Sequence, residues 1–179
     1  MTTFESGFKT YCEKLAVDIR AELGLERYAR LEMEVLADHL AIPIIPIGAC
    51  GAPPEVVTWA AGAGSACFSA LTMPDHTGAR VIVLNDCHPP PRRQSDLAHE
   101  LAHALLMHEP APVNSGDGTR SYTSMLEREA EHLGGALLVP RPMAVGVVRR
   151  GRPLAAAAAE IGVSEQMLQY RIQVTGARR

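Results

Sequence analysis

Several things missing from this chain narrow its class before any motif is read. Its four cysteines, Cys12, Cys50, Cys67 and Cys87, are dispersed and form no C-x-x-C pair, so neither a zinc ribbon nor a disulfide framework is indicated. No apolar stretch approaches the roughly 20 residues that a bilayer-crossing helix needs. The stretch from Met1 to Lys14 is polar and carries no run resembling a signal peptide. Internal repeats are absent too, which excludes a solenoid. Lysine is scarce, two against fifteen arginines, a balance from which no function follows. The simplest expectation is a cytoplasmic protein in a reducing setting, with no membrane partner.

What is present suits one domain with a substantial core: 179 residues, 47% hydrophobic and 21% charged. The net charge of −3 is unevenly spread. From Arg141 to Arg179 seven arginines face only Glu160 and Glu165, a local +5 that leaves −8 elsewhere. A basic tail of this kind fits nucleic acid, an acidic partner or a plain solvated surface, and the last is the commonest.

The chemistry is concentrated in His99-Glu100-Leu101-Ala102-His103. Two histidines four apart on a helix lie about 40° apart around its axis, so both rings can reach one ion. The glutamate beside the first histidine is the general base of zinc peptidases of the HExxH type. Such a pentapeptide arises in roughly 2% of shuffled chains of this composition, so it needs a helix and a third ligand to carry weight. The helix is supported by Ser95 as an N-cap and Asp96 in the first turn. Leu97, Ala98, Leu101, Ala102, Leu105 and Leu106 cover a broad apolar arc, and the two histidines and Glu100 occupy its gap.

Catalytic zinc sites take three protein ligands and keep a position for water. A second helix runs from Leu126 to Leu138, with Leu126, Ala130, Leu133, Gly134, Leu137 and Leu138 as its apolar positions. Glu127 falls inside that face, where a carboxylate needs a cation partner. Glu129 and Glu131 lie at its margins. Glu127 is therefore the expected third ligand, with Glu131 and Glu129 as fallbacks and Glu129 also suiting an ordinary surface position.

Around this centre, Phe8 to Leu23 shows helical spacing with Gly24 as a stop, and a second helix is expected over Arg27 to Leu40. Ala41 to Ile47, with two prolines, reads as an edge strand. After a loop from Gly48 to Pro54, a short helix covers Glu55 to Ala61. Ala66 to Met73 and Ala79 to Asn85 form a hairpin around Pro74 to Gly78. Its edge, beside the zinc helix, is a candidate platform for pairing with an extended peptide, although an ordinary core hairpin explains the same residues. Pro89-Pro90-Pro91 is expected to stay outside the helix, and Glu109 to Tyr122 forms a polar connection that can act as a rim or lid. Leu154 to Glu160, then Gly162, then Ser164 capping Glu165 to Gln173, gives a helix-turn-helix pattern whose second helix offers Gln166, Gln169 and Arg171.

Of the other histidines, His108 falls half a turn away from His99 if the helix continues, so it should point away from the metal. His88 and His132 can approach the cleft but suit solvated or hydrogen-bonded roles better, and His39 and His76 suit the surface.

HELAHALLMH, followed by Glu127-x-x-Ala130-x-x-Leu133-Gly134-x-x-Leu137-Leu138-x-Pro140, resembles the ImmA/IrrE family of zinc metallopeptidases. That family typically reads HELGH, then E-x-x-A-x-x-F-A-x-x-LL-x-P. Ala102 stands here where Gly is common, and Leu133-Gly134 where Phe-Ala is common; both alter packing and leave the ligands in place. The resemblance extends over most of the chain from about Leu31. It implies an α+β, zincin-like fold: a small mixed or antiparallel sheet packed on the HExxH helix and the Glu-bearing helix, ending in a helix-turn-helix-like segment. In residue ranges, that is one domain over 1–179, with N-terminal helices at 1–40, a zincin core at 41–140 and the basic segment at 141–179.

The expected activity is that of a zinc endopeptidase, with manganese as the alternative ion. His99, His103 and Glu127 hold the metal, and Glu100 moves the proton from the attacking water to the leaving amine. A second group is usually needed for the oxyanion, and Tyr122, Tyr170, Arg171 and His88 are its candidates. The substrate class implied by the resemblance is a helix-turn-helix repressor protein. Two readings compete. One is a DNA-binding regulator with a structural zinc, although the second helix of the tail begins with an acidic residue and has few phosphate partners. The other is an HExxH enzyme acting on a small molecule.

Overall fold

The computed structural model describes residues 4–109 and 124–178. Among these, eight α-helices and a three-stranded mixed sheet make an α+β fold: α1 (Phe8–Glu22), α2 (Met33–His39), β1 (Ile44–Pro46), a 3-10 turn (Ile47–Ala49), α3 (Pro54–Ala61), β2 (Ala70–Pro74), β3 (Arg80–Leu84), α4 (Pro90–Leu105), α5 (Ser124–Leu138), α6 (Arg141–Arg150), α7 (Leu154–Ile161) and α8 (Glu165–Val174). No helix among the described residues is long and apolar enough to cross a membrane.

β3 is the central strand, with β1 parallel on one side and β2 antiparallel on the other. Its sequence Val81-Ile82-Val83-Leu84 is buried throughout, as a strand covered on both faces requires. Ile82 and Leu84 enter the main core with Leu97, Leu101 and Leu133, while Val83 joins Ile47 and Ala60 on the opposite side. The proline-containing β1 is an edge, as its composition predicts, but it is shorter than expected because the chain turns into the 3-10 segment at Ile47. The hairpin forms as expected, with Thr72 opposite Ile82 and Pro74 closing β2.

α4 and α5 cross where their side chains are smallest. A Cβ on Gly134 would lie 3.0 Å from the carbonyl oxygen of Ala98. Since Gly134 meets Ala98 while Glu127 reaches His103, the two helices run antiparallel. α1 packs on α5 through Cys12, Ala16 and Ile19. Arg20, fully buried, joins these layers by donating to the carbonyls of Ala16, Ala29 and Leu137 at 2.8, 2.9 and 2.7 Å.

Two helix starts differ from the sequence expectations. α4 starts at Pro90, with Pro90 and Pro91 inside its first turn, where a missing N–H costs nothing. Ser95 is thus not its cap: its hydroxyl donates to Pro91 O within the helix at 3.2 Å. α2 begins only at Met33, whose N–H is taken by Gln94 Oε1 of α4 at 2.8 Å, a cap supplied by a distant element. The connection expected at Glu109–Tyr122 lies, beyond Glu109, outside the described residues. Near the C-terminus, Gly162 reverses the chain with φ 82°, and Ser164 caps α8 as expected, its hydroxyl oxygen accepting from Met167 N at 3.1 Å.

Candidate metal centre

α4 buries Leu97, Ala98, Leu101 and Ala102, which turns its histidine-bearing edge toward α5 and the edge of β2. His103 is buried, and His99 lies one turn before it at the mouth of a cleft. Their Nε2 atoms are 3.2 Å apart. Glu127, from the first turn of α5, approaches both: its Oε2 is 3.2 Å from His99 Nε2 and its Oε1 is 3.5 Å from His103 Nε2. These three are the group of donors among the described residues that could hold a metal ion.

The spacing permits a test of fit. Ligand atoms at about 2.05 Å from a tetrahedral ion stand about 3.3 Å from one another. The observed edges of 3.2, 3.2 and 3.5 Å match that figure. Two neutral imidazoles and one carboxylate also form a donor set that suits a divalent ion and leaves a fourth direction open. That direction faces a cleft of about 420 Å³ lined by Cys67, Ser69, Leu71, Asp96 and Glu100 with His99 and Glu127. A second cavity, about 330 Å³ between α6 and α7, holds none of these groups.

Glu100 follows His99 on α4 and turns toward the sheet. One of its oxygens, Oε2, accepts from both the amide and the hydroxyl of Thr72 on β2, at 2.9 and 2.5 Å. The fixed oxygen leaves Oε1 for other work. A peptidase family model, M78, described as the IrrE N-terminal-like domain, matches residues 67–173. That span runs from the cleft wall through β2, β3, α4 and α5 into α8. The chain belongs to the ImmA/IrrE family. No curated protein matches it. Membership in ImmA/IrrE carries a metallopeptidase-type function, and His99, His103 and Glu127 form a group that could hold a metal ion.

Among the other histidines and glutamates of this ImmA/IrrE chain, His108 and Glu129 depart from their sequence expectations, while His88, His39 and His76 meet theirs. His108 does not continue α4. The helix stops at Leu105, Met107 adopts φ 57°, and His108 folds back so that its Nδ1 lies 2.9 Å from His103 Nδ1. Burial pushes its pKa below the ordinary imidazole value, with Glu129 pulling the other way. Glu129 is neither a ligand nor a free surface group: its Oε2 sits 3.4 Å from His108 Nε2. His88 is buried behind Asp96, which lines the cleft, its Nδ1 3.0 Å from Asp96 Oδ2 and its Nε2 2.9 Å from Ser65 O. His132 is buried against Phe8 and Phe4, away from the triangle. His39 is exposed beside Glu22 at 3.3 Å, and His76 is exposed on the hairpin turn.

Of the oxyanion candidates, Tyr122 lies outside the described residues. Arg171 is fully buried and donates to Val139 O at 2.9 Å and to Glu13. It packs, with Tyr170, against Gly135, eight residues and about 12 Å along α5 from Glu127. Both are therefore corrected to structural positions. Glu131 lies on the side of Tyr170, where its charge and burial push the phenol's pKa up, burial being the larger cause. The contacts of Thr72 with Glu100 and of His108 with His103 and Glu129 are the features at this centre that spacing does not announce.

Proposed function

We propose that the chain is a zinc-dependent endopeptidase that hydrolyses a peptide bond in a helix-turn-helix repressor protein. The reading has His99, His103 and Glu127 as metal ligands and Glu100 as general base and acid. It rests above all on the ligand triangle, whose edges of 3.2, 3.2 and 3.5 Å suit a tetrahedral ion, with Glu100 beside it on the same helix. The placing of the edge strand β2, the HExxH helix α4 and the Glu-bearing helix α5 around that triangle is compatible with it.

Zinc, when bound, supplies Lewis-acid polarisation of a carbonyl and makes water acidic enough to react near neutral pH. The chain's residues do the rest. Glu100, with Oε2 held by Thr72, takes the proton of the attacking water on Oε1 and delivers it to the leaving amine. β2 is a sheet edge, and Ala70 turns its N–H and C=O away from β3, the position from which an extended peptide can be paired. The repressor class comes from the family resemblance, and the proposed setting is the cytoplasm, where such repressors act.

Two observations weigh against the competing readings. A structural zinc site is closed by four protein ligands, whereas this triangle opens on a cleft. Arg171, a residue the tail would need for reading DNA, is buried and bonded to Val139 and Glu13. A cleft bordered by a strand edge also suits an extended chain better than a small metabolite.

The test is zinc content and cleavage of a panel of helix-turn-helix repressors by the wild type, Glu127→Ala and Glu100→Gln. Glu127→Ala is expected to lose stoichiometric zinc. Glu100→Gln should keep zinc and lose cleavage, and undiminished turnover by that variant would remove Glu100 from its role. Sequence-selective, salt-sensitive DNA binding by a wild type that cuts nothing would favour the regulator instead.

A further inference from the structure

The metal centre continues beyond its three ligands in one direction. His103, the most buried ligand, presents Nε2 to the triangle and Nδ1 to the interior. Nδ1 meets His108 Nδ1 at 2.9 Å, and the far nitrogen of His108 meets Glu129 Oε2 at 3.4 Å. The turn that brings His108 there is held at three points. Met107 takes a left-handed φ of 57°, which a non-glycine residue adopts only when the surroundings enforce it. His108 N–H donates to His103 O at 3.0 Å, and the Arg80 guanidinium on β3 donates to His108 O at 2.9 Å. His108 is 8% exposed and the Glu129 side chain 17%.

This chain of contacts admits one arrangement of protons if His103 is to serve a cation. Two imidazole nitrogens in contact need one N–H and one lone pair between them. An Nε2 facing an ion must offer its lone pair, so the His103 proton sits on Nδ1 and is donated to His108. His108 Nδ1 is then the acceptor, and its own proton sits on Nε2, toward the Glu129 carboxylate. Reversing the direction would put a proton on His103 Nε2, inside the ligand triangle. A second group that accepts the free N–H of a ligating histidine fixes its tautomer and ring orientation and raises its basicity.

We propose that His108 and Glu129 are positioning residues of the metal centre, holding His103 as its Nδ1–H tautomer with Nε2 aimed at the ion. This rests on the reading of His99, His103 and Glu127 as ligands. It assigns Glu127 and Glu129, two residues apart on α5, to the two ends of one chain of contacts: one on the metal side of His103, the other behind His108.

Zinc affinity, measured by competition with a chromophoric chelator, tests it without any substrate. His108→Phe is expected to lose about 10- to 100-fold in affinity. His108→Asn should recover part of that loss, because its side-chain oxygen can stand where His108 Nδ1 accepts from His103. Glu129→Ala should lose several-fold, and it keeps the test open if His108→Phe fails to fold, which thermal melts of the metal-free proteins report. Long-range proton–nitrogen correlation spectra of the zinc-loaded wild type should show His103 protonated on Nδ1 and His108 on Nε2. Wild-type affinity in both His108→Phe and Glu129→Ala, or the opposite tautomers, would overturn the proposal while leaving the ligand assignment intact. A wild type that takes up no zinc overturns the ligand assignment itself, and the proposal with it.

Discussion

Thr72 donates twice to a single oxygen of Glu100, through its amide at 2.9 Å and its hydroxyl at 2.5 Å. The first of these bonds exists because β2 is a sheet edge: opposite Ile82, Thr72 turns its N–H away from β3, where no ladder partner claims it. One contact therefore joins the strand proposed to pair with substrate to the carboxylate proposed to move the proton. It also divides the labour of that carboxylate, one oxygen anchored and the other available.

Removing the hydroxyl while keeping the shape should affect catalysis and spare the metal. Thr72→Val retains the amide bond but loses the shorter contact. A hydrogen bond to a charged group contributes about 1.5 kcal/mol or more, so kcat is expected to fall about tenfold. Zinc affinity should stay within about twofold of wild type, because Thr72 touches none of the three ligands. A parallel loss of zinc would show that the contact supports the fold of the centre instead.

The helix crossing is the mechanical frame of the site, and Gly134 sets its closeness. A Cβ there would meet Ala98 O at 3.0 Å, Ala98 C at 3.2 Å and His99 N at 3.3 Å, all backbone atoms that cannot swing aside. Gly134→Ala should therefore push α5 from α4, at a cost of about 1–3 kcal/mol, and widen the gap between Glu127 and the histidines. Urea unfolding and zinc affinity should both decline; an unchanged affinity would mean that the triangle is insulated from the crossing.

What was legible in the sequence was local. His99 and His103 share a helix edge by spacing alone, and Glu127 stands out as a carboxylate within an apolar arc. The misreadings came from interactions that spacing does not encode. A proline triplet reads as helix-excluding, although the first turn has no use for those N–H groups and α4 starts inside it. Helical spacing alone sends His108 along a straight helix, and nothing in Leu106-Met107 announces the reversal, since methionine has no preference for positive φ. Thr72 finds its partner 28 residues away and Gln94 caps a helix 61 residues away, contacts that only the assembled fold creates. Arg171 stands on the second helix of the helix-turn-helix pattern, a place that suggests a DNA-reading side chain, whereas the fold uses it to hold Val139 O.

Arg20 is a second buried arginine with a comparable duty. Among the described residues it meets no carboxylate and instead ties three backbone carbonyls, of which Leu137 O belongs to the last turn of α5. Burial lowers its pKa to about 10, which leaves it charged at neutral pH. Arg20→Met would keep most of the packing and strand the carbonyls of Ala29 and Leu137. A destabilisation of about 3 kcal/mol is expected from the two lost acceptor bonds, read as a shift in the urea midpoint. A variant as stable as wild type would mean that water replaces the guanidinium.

His132 gives the fold a dependence on pH that the metal site does not explain. Its ring is buried near Phe4 and Phe8, with Nε2 lacking a hydrogen-bond partner among the described residues. Burial, seconded by Arg171 and Lys9 and opposed by Glu13, lowers its pKa from 6.5 to about 4. The unfolded chain therefore binds a proton on His132 below about pH 6.5, while the folded chain binds it only below about 4. In that window the unfolded state holds more protons, so stability falls as the pH falls; above 6.5 the group contributes no slope. His132→Leu removes the difference. Urea unfolding at pH 7 and 5.5, with chelator present to silence the metal ligands, should show a larger drop in the wild type than in the variant. Equal drops would mean that the ring takes up its proton as readily in the folded chain as in the unfolded one, through a local opening of the N-terminal aromatic cluster.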